Sequence, residues 1–329
     1  MALQVYADIL KINPNDFNTF NNIGIIFELI GDNNKAIEAY KQAVRINPNH
    51  AKSINNIGVV LYKQKKYKES AQIFEIALQV DENYFEVYSN KGAAYNKAKE
   101  YDKAIESLEM AILKMPNHGG AYTNLGNVYN KLHDYEKASK LHEKSIELEP
   151  NGSNAYSNLG TSYKYLGLSN KAISSYKKAI ELDPNFVNAH FDLATMYLAM
   201  EDFENGWKEY EWRFKKEEMI PHIIRHKDIF SKPLFTGAED IKGKVLLLHS
   251  EQGYGDSIQF IRFLPQIKEK FGCKIAVKCR EGLKELFQTM SEIDVIADRN
   301  EATPQFDYQL SIMSMPFVLG MKSINDLPK

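Results

Sequence analysis

Asn22, Asn56, Asn90, Asn124 and Asn158 recur every 34 residues, and Asp192 takes the next place in the series. A fixed period of this length, with small residues at set offsets, describes a stack of helix-turn-helix units, each burying its apolar face only against the next. Equal offsets point the same way in every unit, so the amides are expected in file along one surface. Such a file either binds something or serves the surface it lies on.

Each unit carries glycine at its eighth place: Gly24, Gly58, Gly92, Gly126 and Gly160, with Ala194 closing the series. A mid-helix glycine costs about 0.5–1 kcal/mol against alanine, so its recurrence points to close approach of a partner helix. Small residues follow twelve places on (Ala36, Ser70, Ala104, Ala138, Ala172), and four places later large ones (Tyr40, Phe74, Leu108, His142, Tyr176). Small against large at helical spacing is a knob and its seat. His142 replaces an aromatic residue and has no convergent cysteine or carboxylate, which makes it a core residue rather than a ligand. Pro48, Pro116, Pro150 and Pro184, each followed by asparagine, close the units. Glu82 breaks that rule, and a looser turn is expected there. Full units run 17–50, 51–84, 85–118, 119–152 and 153–186, above the roughly three that a stable stack needs.

Charge limits the partners. With 41 basic and 43 acidic residues the chain has no overall field to hold a phosphate backbone or an anionic membrane, so nucleic acid is not an expected partner. No apolar stretch approaches the ~18 residues of a membrane span, and the start lacks the pattern of a secretory leader, so a cytoplasmic protein is expected. Cys273 and Cys279 stand in one predicted strand, too far along it to bond each other, and read as reduced and buried.

The sixth unit keeps its first helix, but its second reads EDFENGWKEYEWRFKKEE and holds both tryptophans. A helical wheel gives it two apolar surfaces. Trp207 is expected to face the repeats, and Trp212 a following domain. Residues 221–242 form an irregular connector in which His222 and His226, four apart, lack a third metal ligand. From residue 243, apolar strands alternate with helices, which argues a parallel sheet. The loop after the first strand, with Gly253, Gly255 and Asp256, lies where such sheets bind ligands. It fails the common nucleotide motifs, since Ile258 stands at the third glycine of a dinucleotide fingerprint and no Gly-Lys-Ser/Thr is present. Asp256 or Ser257 either caps the helix, or the helix terminus faces an acceptor or phosphate with Asp256 as a weak base.

The pattern LG-x-x-Y, A-x-x-x-Y-x-x-A and P-N resembles the tetratricopeptide repeat, which implies a right-handed superhelix whose first helices line a groove for peptides or partner proteins. Residues 203–329, with FENGWKEYEWRF, HSEQGYGDSIQFIRFLP and FDYQLSIMSMPFVLG, resemble bacterial tetratricopeptide proteins fused to a two-lobed (GT-B-like) glycosyltransferase. That resemblance implies a nucleotide-sugar donor, no cofactor held in this chain itself, and a remnant site of Asp256 as catalytic base with Gly253, Gly255 and Gln259. The asparagine series, with Asp192, is similar to the amide ladder of protein O-linked N-acetylglucosamine transferases, which grips peptide backbone.

The expected fold is therefore an all-α solenoid followed by a partial α/β Rossmann-like domain. Residues 1–16 supply the second helix of an incomplete repeat, 17–220 six repeats with the sixth degenerate, 221–242 a connector, and 243–329 part of an amino-terminal lobe. Since the donor lobe has no counterpart, the chain reads as a truncated enzyme. Two functions are expected: the acceptor-recognition half of a glycosyltransferase, or an interaction scaffold alone, with self-association through the solenoid ends. For the asparagines, a carboxamide both donates and accepts, so it can match a peptide unit. With helices ~8–10 Å apart and ~3.3 Å per extended residue, one amide serves about every third residue. The alternative is a structural ladder tying neighbouring first helices together.

Overall fold

The computed structural model describes residues 2–219, 221, 223, 226–251 and 253–328. They divide into two compact units, Met1–Lys171 and Ala172–Lys329.

The first unit opens with α1 (Ala2–Ile12). Four antiparallel pairs follow: α2 (Phe17–Leu29) with α3 (Asn33–Ile46), α4 (Ala51–Lys63) with α5 (Tyr67–Val80), α6 (Phe85–Lys97) with α7 (Tyr101–Lys114), and α8 (Gly119–Lys131) with α9 (Tyr135–Leu148). Then come α10 (Ser153–Tyr165) and the first residues of α11 (Ser169–Leu182). The recurring glycines set how close each pair packs. A methyl group built on Gly24 would lie 2.4 Å from the Tyr40 ring, on Gly58 2.5 Å from Phe74, on Gly92 2.4 Å from Leu108, and on Gly126 2.6 Å from His142. These large side chains have no solvent exposure, and neither have Ala36, Ala104 and Ala138 beside them. In unit after unit, one missing Cβ admits one large side chain, and the pair closes around it.

His142 is a core residue, as its place in the repeat implies. Its Nε2 lies 3.3 Å from Asn130 Nδ2, Asn130 Oδ1 accepts the Ser162 hydroxyl at 2.9 Å, and His142 Nδ1 has no hydrogen-bond partner among the described residues. Burial pushes its pKa down to about 4.

The turns correct one expectation. At the proline-bearing end of the 17–50 unit, Asn47 accepts the N–H of Asn49 on its side chain at 3.1 Å and that of His50 on its carbonyl at 3.1 Å. Asp81 does the same for Asn83 at 3.0 Å and Tyr84 at 3.2 Å, so the turn carrying Glu82 is no looser than the others. The Asx side chain closes the turn, and the proline ring is dispensable. Within each pair the first helix ends on a residue in the left-handed region: Gly31 (φ +82°), Lys65 (+62°), Lys99 (+64°), His133 (+63°) and Gly167 (+73°). Glycine adopts this conformation without the Cβ penalty that lysine bears.

The second unit begins within α11 and continues through α12 (Val187–Ala199), α13 (Phe203–Tyr210) and a 3-10 segment, Glu211–Lys215. It ends in a four-stranded, fully parallel sheet of order β3-β2-β1-β4, formed by β1 (Val245–His249), β2 (Lys274–Cys279), β3 (Val295–Asp298) and β4 (Tyr308–Ser311). Leu246 and Leu248 of β1, with Ile275, Val277 and Cys279 of β2, point to one face. There they meet α14 (Tyr254–Ile261), α15 (Leu264–Phe271) and α16 (Met315–Leu319). On the opposite face, among the described residues, Leu247 and Ala276 lie under Ile229, Phe230 and Phe306. The α/β portion is thus a small sheet with one main helical layer. Cys273 and Cys279 are buried free thiols, and burial raises the pKa of both.

The tryptophans exchange the expected roles. Trp207 packs edge-on against Phe260 of α14 at 5.6 Å, whereas Trp212 stacks on His190 of α12 at 3.7 Å with an interplanar angle of 3°. For Trp212 the helical wheel does not apply, because α13 stops at Tyr210 and the chain tightens into a 3-10 turn, which advances each residue by more than the α-helical 100°.

Two measurements check this reading of the fold. Lys99→Gly is expected to raise stability in urea unfolding by about 0.5–1 kcal/mol by relieving the left-handed lysine, and a loss of stability would contradict it. His142 binds its proton near pH 6.5 when unfolded and near pH 4 when folded, so the unfolded chain takes up the proton first. Its contribution is present above pH 6.5 and is lost as pH falls toward 4. Relative to His142→Phe, the natural chain should lose on the order of 3 kcal/mol across that window; parallel stability curves would refute this.

Candidate functional site

In the first unit the first helices of successive pairs approach one another directly (α4 with α6, α6 with α8, α8 with α10), while second helices make no comparable approach. The stack therefore curls toward its first helices, and the asparagine file lies on that inner side. Asn22, Asn56, Asn90, Asn124 and Asn158 are all half-buried. Asn56 Nδ2 donates to Asn21 Oδ1 at 3.0 Å, Asn90 Nδ2 to Asn55 Oδ1 at 3.2 Å, and Asn124 Nδ2 to Ser89 Oγ at 3.2 Å. Each reaches the preceding first helix at the residue before the ladder position. The structural ladder thus exists for these three, and its acceptors are polar residues the sequence reading did not single out. Their signal is the same period, one place earlier: Asn21, Asn55, Ser89, Thr123 and Ser157.

The ladder occupies only part of each amide. Among the described residues, no hydrogen bond is donated to Oδ1 of Asn56, Asn90 or Asn124, and the side chains of Asn22 and Asn158 make none at all. Beside Asn90 the face opens into a pocket of about 150 Å³ lined by Val59, Tyr62, Phe74 and Ala93. Asp192 lies on α12 in the second unit and is half-buried.

In the second unit the glycine loop is a helix start. Asp256 Oδ2 accepts the Gly253 N–H at 3.2 Å, and the Ser257 hydroxyl bonds Gly253 O at 3.0 Å and Ser250 Oγ at 3.1 Å. Gly253, Gly255 and Gln259 are exposed. The cleft at the carboxyl ends of the strands is lined by other residues, among them His249, Glu251, Lys278, Arg280 and Arg299. His249 is held neutral by burial, which pushes its pKa down to about 4 against the opposing bond to Gln309 Oε1 at 3.0 Å.

Behind that cleft sits a charge cluster the sequence did not reveal. Arg213, 2% exposed, donates from Nε to Glu251 Oε1 at 2.7 Å, from Nη1 to Glu211 Oε1 at 2.6 Å and from Nη2 to Ser314 Oγ at 2.7 Å. Such a pair is costly to bury and costlier to break, by about 3–5 kcal/mol, because removing one partner strands the other. It fastens the 3-10 segment to the end of β1. Among the described residues no group of three or more His, Cys, Asp or Glu converges on a common point. His222, half of the considered metal pair, lies outside the described residues, as does Gln252 of the loop.

Comparison with known proteins places this geometry. Models of the tetratricopeptide repeat match residues 83–148, 117–185, 51–84 and 175–209, and a TPR repeat model matches 29–65; together they run unbroken over 29–209, more than half of the chain. Protein FlbA of Caulobacter vibrioides is 32% identical over 111 residues, a match that spans 32% of this chain and 17% of FlbA. Among solved structures, the Cut9-Hcn1 assembly of the APC/C is similar with a TM-score of 0.61 at 15% identity, covering 69% of this chain and 44% of that one. PilF of Pseudomonas aeruginosa is similar with a TM-score of 0.53 at 18% identity, covering 65% and 96%. These two likenesses concern the fold alone.

The resemblance to glycosyltransferases is corrected by these findings. The matched families and structures are tetratricopeptide repeat proteins, and none brings a fused glycosyltransferase domain or transferase activity. What looked like a family signature, a glycine and aspartate opening a helix, is here an N-terminal cap, with Asp256 turned back onto the Gly253 N–H. No helix among the described residues is long and apolar enough to cross a membrane.

Proposed function

This chain belongs to the tetratricopeptide repeat family, and on that premise we propose that its first unit is a scaffold holding an extended segment of a partner protein along the first-helix face. One observation carries the reading: carboxamide oxygens recur once per repeat on the inner side, left without donors, beside an apolar seat. A half-buried carbonyl of this kind can accept an external N–H in place of water. Backbone N–H groups of an extended chain supply donors at a spacing of about three residues per helix. The amide bonds across helices, to Asn21, Asn55 and Ser89, serve the same end, since they fix the rotamers of Asn56, Asn90 and Asn124 before any partner arrives, so that less side-chain freedom is lost on binding.

Asn158 gives the cleanest test, because its side chain makes no hydrogen bond among the described residues. Peptides selected by phage display on the full chain are expected to bind Asn158→Ala about fivefold more weakly, the loss of one hydrogen bond of roughly 1 kcal/mol. The unfolding midpoint should be unchanged. Asn124→Ala, which also cuts the bond to Ser89, should lower both affinity and stability. Selected peptides that bind both variants as tightly as the natural chain would remove the first-helix face as the binding surface.

A further inference from the structure

The chemistry of the partner follows from how charge is distributed, an inference that rests on the peptide-holding reading above. The whole chain is nearly neutral, but the first unit is not evenly so. Its first helices, α2, α4, α6, α8 and α10, carry two carboxylates, Glu28 and Glu86, against six lysines: Lys52, Lys63, Lys91, Lys97, Lys131 and Lys164. Its second helices, with α1, balance acid and base one for one. Summed over the helices, the excess of positive charge thus falls on the first helices; the turns carry the offsetting carboxylates, of which Glu100 and Asp134, nearest to Lys97 and Lys131, are paired with Lys103 and Lys137 of the second helices.

Within those helices the lysines are in register with the ladder. Lys63, Lys97 and Lys131 stand seven residues after Asn56, Asn90 and Asn124. Seven residues are two turns, so each lysine shares its asparagine's face about 10 Å further along the helix. Lys63 spends its charge on Glu28 at 2.5 Å. Lys97 and Lys131 are exposed and have no ion-pair partner among the described residues. Lysine in a last helical turn suits the helix dipole, which serves Arg45 of α3 and Lys114 of α7 as well, while α5 and α9 among the second helices and α2 among the first have no basic residue there. The dipole alone thus does not set which helix ends carry a lysine.

We propose that the segment held on the first-helix face is acidic. Its backbone runs along Asn90 and Asn124, carboxylates on the same side meet Lys97 and Lys131, and one apolar side chain enters the seat formed by Val59, Tyr62, Phe74 and Ala93. The apolar residue fixes the register, since among the matching positions only this junction pairs small Ala93 with Val59; the next two repeats place Asn127 and Thr161 there.

Three fluorescein-labelled peptides of about a dozen residues, titrated against the full chain by fluorescence anisotropy, test this. One alternates Asp and Glu with Ser around a single central Leu; the others put Ser or Lys at every acidic position. The acidic peptide should bind at least about tenfold tighter than the serine peptide at low salt, with the lysine peptide weakest, and that advantage should shrink as the screening length shortens near about 300 mM salt. The double variant Lys97→Glu/Lys131→Glu, altered only at exposed side chains, should abolish the advantage, while Asn90→Ala weakens acidic and serine peptides alike. Equal binding of the acidic and serine peptides, both weakened by Asn90→Ala, would overturn the acidic preference and leave the peptide-holding face standing. An advantage that survives the charge reversal would overturn the placement at Lys97 and Lys131. Failure of all three peptides to bind would overturn this proposal and the reading beneath it.

Discussion

The close approach of two helices across a missing Cβ governs the rest of the first unit. Gly24 against Tyr40, Gly58 against Phe74, Gly92 against Leu108 and Gly126 against His142 are the same contact made with four different side chains. Because it sets the separation and rotation of each pair, it also sets where the opposite side of each first helix points. The asparagines align only because that contact repeats. Their hydrogen bonds to Asn21, Asn55 and Ser89 are then a consequence of the stacking geometry that also reinforces it. In a solenoid, where each unit touches only its neighbours, such a bond acts at the interface that makes the array cooperative.

The second unit is held by a different kind of interaction. Its sheet has a conventional apolar face under α14 and α15, but the segment leading into it is fastened by Arg213, buried between Glu211, Glu251 and Ser314. An ion cluster adds little net stability over well-packed apolar groups, yet it tolerates few alternative arrangements, since any displacement leaves a charge buried without a partner. The same segment is flanked by the stack of Trp212 on His190 and, from α13, the edge contact of Trp207 with Phe260.

Local and periodic features were legible in the sequence, and tertiary ones were not. The period, the glycine seats, the core role of His142 and the four parallel strands all show in residue type and spacing, because each depends on neighbours at fixed offsets. The turn at Glu82 was misjudged because the proline is conspicuous, while the Asx side chain that closes the turn is not. Trp212 was misplaced where a 3-10 turn takes over after Tyr210, and the side that Trp207 takes, against Phe260, depends on tertiary packing that spacing does not show. Arg213 and Ser314 lie a hundred residues apart, and nothing local marks them as partners. The glycines and aspartate in the first turn of α14 misled because helix capping and helix-terminal catalysis use the same residues at the same spacing. For the candidate site, the ladder was visible, but its half-satisfied state was not, since that depends on what the neighbouring helix places opposite each amide.

On the reading proposed above, a partner would meet a repeated acceptor group, the apolar seat beside Asn90, and Lys97 and Lys131, on the side where the first helices meet. The most direct measurement of that claim is the side-chain amide spectrum of the full chain, ¹⁵N-labelled, as a selected peptide is added. The account predicts that the Nδ2 resonances of Asn90, Asn124 and Asn158 shift together at the peptide's binding midpoint, while Asn33, at the start of the second helix α3, stays in place. Shifts confined to second-helix residues, with the ladder resonances unmoved, would contradict it.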